Sequence, residues 1–141
     1  MSLFRVFDVA GSALNAQSMR LNVVASNLAN AESVAGDAAS VYRARHPVFQ
    51  SLMREYGADA VADDVAAGVR MLGVYESPAP AMRRYEPGHP LADADGYVFA
   101  SNVNAVEEMA NMISASRSFQ TNVEVMTTSR DLLLKTITMG R

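Results

Sequence analysis

The chain has 141 residues, half of them hydrophobic and 19% charged, with a formal charge of −3 and neither cysteine nor tryptophan. That length carries one domain, or one helical core plus a small insert. The missing cysteine excludes a disulfide framework, thiolate metal sites and a Cys nucleophile, and no region gathers the Lys and Arg that neutralise nucleic-acid phosphates.

At the N-terminal end Phe7, Leu14, Leu21 and Leu28 recur every seven residues, with Leu3, Ala10, Gln17, Val24 and Ala31 as a companion row. The spacing predicts a helix over residues 3–31, roughly 45 Å long at about 1.5 Å per residue. Gly11 weakens it by about 1 kcal/mol relative to alanine. Asn27, Asn30, Ser33, Gly36 and Asp37 supply turn and C-cap chemistry at its end. Asp8, Asn15, Gln17 and Arg20 interrupt the apolar run that a secretory signal needs. No stretch of about 18 or more apolar residues exists, so no membrane-spanning helix is expected. These features alone would leave the chain in the cytoplasm.

The middle has a different grammar. All five prolines (Pro47, Pro78, Pro80, Pro87, Pro90) and six of the eight glycines lie there. Tyr42 to Phe49 is too short and proline-bounded for a helix and is read as extended. Residues 48–56 fit a short helix and a strand equally. Ala58 to Gly68 is small and acidic, the composition of a mobile loop. Val69–Tyr75, Met82–Tyr85 and Tyr97–Phe99 are candidate strands, separated by Ser77-Pro78-Ala79-Pro80 and by Asp93-Ala94-Asp95-Gly96. All five tyrosines fall in this insert, which suits a small sheet whose aromatic faces rest on something larger.

The second helix opens on Asn104 as N-cap, with Glu107 three residues on and Glu108 adding an acid near the positive helix end. It is expected to run to about Met139, with Lys135 and Arg141 near its negative end and Gly140 as a stop. That is about three times the mean globular helix. Met112, Phe119, Met126 and Leu133 again recur every seven residues, with Met109, Val123 and Ile137 three or four residues away.

A seven-residue period lets two helices keep one seam in continuous contact. The expected fold is therefore mainly α. Long N- and C-terminal helices pack as an antiparallel coiled-coil-like pair, with a small β and loop insert between them. The expected boundaries are 1–36 for the first helix, 37–101 for the insert and 102–141 for the second helix. The positions flanking the seams are unusual. They are Phe4, Gly11, Ser18 and Ala25 on one side of the first helix, and Val6, Ala13, Arg20 and Asn27 on the other. Val9, Met19 and Val23 lie further out, and Val125, Leu132 and Met139 lie off the second seam. Coiled coils normally place charge there.

Residues 1–31 carry only Arg5, Arg20 and Asp8, and residues 103–141 carry four charges of each sign, while residues 32–102 hold six basic and ten acidic side chains. Burying apolar surface at about 25 cal/mol per Å² favours covering such helices with other chains. The plan is that of an assembly subunit rather than an enzyme. The expected assembly interface comprises Phe7, Leu14, Leu21, Val24, Asn27, Leu28 and Asn30 with Met109, Met112, Phe119, Asn122, Val123, Met126, Leu133 and Ile137.

Asn15, Asn22, Asn27, Asn30, Asn111, Asn122, Gln17 and Gln120 decorate both helices. They fit two readings: a solvated face, or buried amides that fix helix register. Chemistry is weakly represented. His46 and His89 each precede a proline and stand far apart. Asp93-Ala94-Asp95-Gly96 lacks the remaining ligands of a calcium loop and reads as a plain turn. Arg43 with Arg45, and Arg83 with Arg84, read as members of surface ion pairs. No phosphate loop or nucleophile–base pair is present. No catalytic, metal or cofactor site is expected.

The wording of the two ends is specific. The run Ala13-Leu14-Asn15-Ala16-Gln17-Ser18-Met19-Arg20-Leu21-Asn22-Val23-Val24-Ala25-Ser26-Asn27-Leu28-Ala29-Asn30-Ala31 resembles the signature of the flagellar rod and hook axial proteins. Asn102 to Met109 and Arg117 to Met126 resemble the matching C-terminal signature. Tyr42-Arg43-Ala44-Arg45-His46-Pro47-Val48-Phe49, Tyr85 to Pro90 and Ala92 to Val98 are similar to the proximal-rod members of that family. The likeness covers the chain except roughly residues 55–70. Phe119 stands where tyrosine is commoner, and Ala100-Ser101 precede Asn-Val-Asn where a proline is usual.

The resemblance implies a structural subunit of the proximal rod, part of the axial drive shaft that transmits torque to hook and filament. It implies terminal helices packed in a tubular inner layer, an insert touching neighbours further out, and a periplasmic place in the basal body. Export would run through the flagellar type III apparatus, in unfolded form and without a cleaved signal peptide. The implied partners are further copies of the chain, the axial proteins FlgB, FlgF, FlgG and FliE, and that export apparatus, with neither nucleic acid nor membrane insertion. Long helices with little intramolecular cover are expected to order only on assembly. The rival readings are a non-polymerising helical adaptor or chaperone of a secretion apparatus, and a small hydrolase using His46 or His89.

Overall fold

The computed structural model describes residues 3–53 and 67–140. Helix α1 spans Leu3–Ala29 and helix α2 spans Ala105–Met139. Between them run β1 (Val34–Ala35), β2 (Arg45–Met53), β3 (Ala67–Glu76), β4 (Met82–Tyr85) and β5 (Tyr97–Ala100). The mainly α plan with a small β insert is the one expected, and all three candidate strands are present. The undecided stretch after Val48 is strand as far as Met53, and Pro47 fits because a two-stranded sheet leaves an edge free of ladder bonds. The acidic loop expected over 58–68 lies outside the described residues, except that Ala67 and Gly68 open β3. Among the described residues, no helix is long and apolar enough to cross a membrane.

The chain divides into two compact units. One comprises Met1–Arg20, Val48–Gly73 and Ser114–Arg141; the other comprises Leu21–Pro47 and Val74–Ile113. In the first unit, Phe7 and Leu14 of α1 share a groove of about 300 Å³ with Val123, Met126, Thr127 and Arg130 of α2. In the second, Asn27 near the end of α1 bonds Glu108 near the start of α2.

The second unit holds most of the buried residues: Val24, Val41, Ala44, Val98, Ala100 and Val103, with polar Asn27, Ser101 and Glu108. Its sheet has the order β1-β5-β4, antiparallel throughout. Val34 stands opposite Ala100 on one side of β5, and Tyr85 opposite Tyr97 on the other. Alternation along β5 turns Val98 and Ala100 inward, and Val98 has no exposed surface. Arg83, opposite Phe99, lies 4.5 Å from the Tyr97 ring centroid, so a cation covers the outer aromatic face. The edge strand β4 is short and exposed, and its two arginines discourage edge-to-edge pairing.

The turn before β5 is built on Asp93. Its Oδ1 accepts the amides of Asp95 at 3.0 Å and Tyr97 at 2.8 Å, and Gly96 adopts φ 81°. A Cβ on Gly96 would stand 3.0 Å from Tyr85 Cε2 and 3.1 Å from Pro87 Cβ, so glycine is required twice over. The Tyr97 amide foremost, then the Asp95 amide and Arg83, outweigh partial burial and hold the Asp93 carboxyl below its ordinary 3.8. A depressed folded value means the stabilisation is complete above pH 3.8 and fades as pH falls through the folded value. Titration of the Asp93 carboxyl carbon should give a midpoint below 3.8; one at or above it would refute this account of the turn.

Candidate assembly surface

Helix α1 ends on its own side chains. The Asn30 amide group donates back to Ser26 O at 2.8 Å, and the Ser33 hydroxyl to Asn30 O at 2.7 Å, satisfying terminal carbonyls. Helix α2 begins as expected, with Asn104 Oδ1 accepting the amides of Val106 at 3.1 Å and Glu107 at 3.4 Å. Ser101 gives its amide to Ser33 O at 3.0 Å, a bond that a proline at 101 would forgo.

Burial along the helices of the first unit is inverted relative to an ordinary core. The residues buried on its helices are Ala10, Ala16, Ala115 and Ser129, all small. Phe7, Leu14, Phe119, Met126 and Leu133 are half-buried, while Val9, Met19, Val123, Val125, Leu132, Leu134, Ile137 and Met139 are exposed. Outside the groove shared with Phe7 and Leu14, most large apolar side chains of α2 therefore stand in the open. Met139 keeps 87% of its surface in the open.

In the second unit Val24 and Asn27 are buried and Leu21, Leu28 and Asn30 half-buried, whereas Met109 and Ile113 are exposed and Val106 is 76% exposed. Of the expected interface residues, Met112 and Asn122 are also half-buried. The row beside Met112, Phe119, Met126 and Leu133 on the more buried side of α2 is Glu108, Ala115, Asn122 and Ser129; Met109 and Ile137 are exposed, and Val123, also exposed, borders the groove shared with Phe7 and Leu14. Sequence reading passed over Ala115 and Ser129 because such small residues give no hydropathy signal.

The amides behave differently from one another. Asn122 donates to Ser118 O of its own helix at 2.8 Å. Gln17 carries the one buried side-chain oxygen without a hydrogen-bond partner among the described residues. Asn27 joins three elements. Its Oδ1 accepts from Tyr42 OH and from Arg45 N, both at 2.9 Å, and its Nδ2 donates to Arg45 O at 2.8 Å and Glu108 Oε2 at 3.1 Å. Sequence reading placed Glu108 as a charge at a helix start; the structure buries its carboxylate against Asn27 and Asn111.

The insert is laced to this junction. Asn102 Oδ1 accepts Ala44 N at 2.7 Å and its Nδ2 donates to Ala79 O at 2.9 Å. Arg45–Glu76, Arg83–Asp93 and Arg84–Glu86 form ion pairs, solvated enough that water screens much of their attraction. His46 lies against the Tyr75 ring, and His89 Nδ1 accepts the Leu91 amide, so both histidines are occupied in packing and turns. Among the described residues no three His, Cys, Asp or Glu side chains are grouped to hold a metal.

Residues 7–36 match the family described as "Flagella basal body rod protein", and residues 94–139 match "Flagellar basal body rod FlgEFG protein C-terminal". The two matched stretches take in nearly all of α1 and α2, including both faces described above. The chain is 52% identical to the flagellar basal-body rod protein FlgC of Salmonella typhimurium over the whole of both chains. The chain belongs to the FlgC family. FlgC of Escherichia coli O157:H7 is also 52% identical over the whole of both chains, and that of Buchnera aphidicola from Acyrthosiphon pisum 40% identical over 99% of each. Family membership makes this chain a structural axial subunit of the flagellar basal-body rod, in the periplasm, and not an enzyme.

Proposed function

We propose that this chain polymerises within the proximal rod, in the drive shaft that carries torque to hook and filament. One observation carries the reading: large apolar side chains of α2, from Val106 to Met139, stand in the open, while the positions buried on the helices of the first unit are alanines and a serine. Such a surface costs free energy in water and gains it against neighbouring helices. The interface comprises Phe7, Leu14, Leu21, Leu28 and Asn30, with Met109, Met112, Phe119, Asn122, Val123, Met126, Leu133 and Ile137, while Val24 and Asn27, already buried by the chain itself, support it from beneath. Residues 1–36 and 102–141 form the inner rod layer, and residues 37–101 touch neighbours further out. The neighbours are further copies of the chain and the axial proteins FlgB, FlgF, FlgG and FliE, reached after export through the flagellar type III apparatus.

A density map of purified basal bodies tests this. It should place the chain in the rod with the open side of α2 against other subunits; a discrete soluble complex that never enters the rod would favour an adaptor instead. The free chain should be incompletely helical in dilute solution, because its helices lack cover. A fully formed, cooperatively melting hairpin by circular dichroism would contradict that.

A further inference from the structure

We infer that Asn27 is a positioning residue that makes docking of the insert's first strand conditional on pairing of the two terminal helices. A primary amide offers two donors and an acceptor oxygen with two lone pairs. Asn27, 1% exposed, uses all four at once, on partners from three parts of the chain. Two of the bonds go to the amide and the carbonyl of Arg45, the first residue of β2. The side chain thus does for Arg45 what a neighbouring strand would do, and ties β2 to α1. The third reaches Tyr42 OH, whose oxygen also lies 3.1 Å from Ser26 Oγ. The fourth goes to Glu108 on α2, itself 5% exposed and further bonded by Asn111 at 3.4 Å.

The network also fixes which way the amide points. Turned over, its oxygen would face the Arg45 carbonyl and the Glu108 carboxylate, and its NH2 would face the Arg45 amide. Glu108 therefore holds the only orientation in which Asn27 can receive Arg45. Removing α2 frees the amide, and removing β2 strips Glu108's partner of its orientation. Coupling of this kind acts equally in both directions. The strand's place is thus read from the helix pairing, through one side chain.

The inference does not depend on which neighbours the chain has, and is tested by hydrogen exchange on the full-length protein within purified basal bodies. Glu108→Ala changes a residue with no hydrogen bond to Arg45, yet should speed exchange of the Arg45 amide roughly 10- to 100-fold through loss of Asn27 orientation. Unchanged exchange there would overturn the coupling. Asn27→Asp preserves shape but replaces both donors with an oxygen facing two acceptors, so it should disrupt β2 docking and reduce rod assembly.

Adding Glu108→Gln to Asn27→Asp supplies a donor to the introduced carboxylate and should restore part of both, whereas Asn27→Leu with Glu108→Gln should restore neither. If Asn27→Asp chains are not incorporated at all, the swimming of the double variant decides: recovery supports the inference and none refutes it. Absence of the unaltered chain from basal bodies would refute the rod reading instead, and the same exchange comparison on the free full-length chain would then decide the coupling.

Discussion

Cells whose only copy of this subunit carries Phe119→Asp should be non-motile, with no rod built beyond the point where the chain enters. Leu21→Asp should do the same. Both side chains belong to the half-buried seven-residue rows, one on each helix, and in the proposed assembly both lose their remaining water to neighbours. Each substitution removes a large apolar group, about 2–5 kcal/mol when well buried, and puts a carboxylate where apolar contacts stood. Repeated in every copy of the subunit, that cost bears on every contact at once. Swim-plate diameter and electron micrographs of basal bodies read the outcome. Normal swimming in either strain would contradict the assignment of these rows to assembly.

Ala115→Leu should be the most damaging neutral change on α2. Ala115 has no exposed surface at all, so three added carbon atoms find no room without displacing α2 from what it rests on. Overpacking of this kind costs about 1–3 kcal/mol in an ordinary core. Here it acts in a unit whose other buried helix positions are also small, and no large side chain can be trimmed in compensation. Ala110→Leu is the matched control, because Ala110 is exposed and leucine is an equally good helix former. The first variant should lower the protease resistance of the two helices, while the second leaves it unchanged. Equal behaviour of the two would mean that close approach at Ala115 is not what holds the helices together.

Much of the fold was legible because it obeys local rules. The seven-residue rows gave both helices and their pairing, and Asn104 gave the start of α2. Asp93-Ala94-Asp95-Gly96 was recognisable as a turn because Asp and Gly at that spacing supply a side-chain acceptor and a positive φ. Three features were not legible. Strand β1 has only two residues, too few for any alternation to register, and it exists because β5 offers Val34 and Ala35 an edge.

The inner row of α2 is made of Glu108, Ala115, Asn122 and Ser129, which hydropathy scores as surface. The junction at Asn27 depends on Tyr42, Arg45 and Glu108 arriving together from distant parts of the chain. Of the candidate interface, the apolar rows were readable and the division between an inner and an open side was not. That division depends on side-chain size, to which a hydrophobic period is blind.

Four threonines of α2 remain. The hydroxyls of Thr121, Thr127, Thr136 and Thr138 each turn back to the carbonyl four residues earlier, at 2.8–3.0 Å. Each is thereby content within its own helix and demands nothing of whatever lies alongside. A shaft stacked from several kinds of protein must join unlike faces at every change of component. Where these threonines lie, a rod helix can meet strangers as easily as kin, because its hydroxyls need no matching group across the contact.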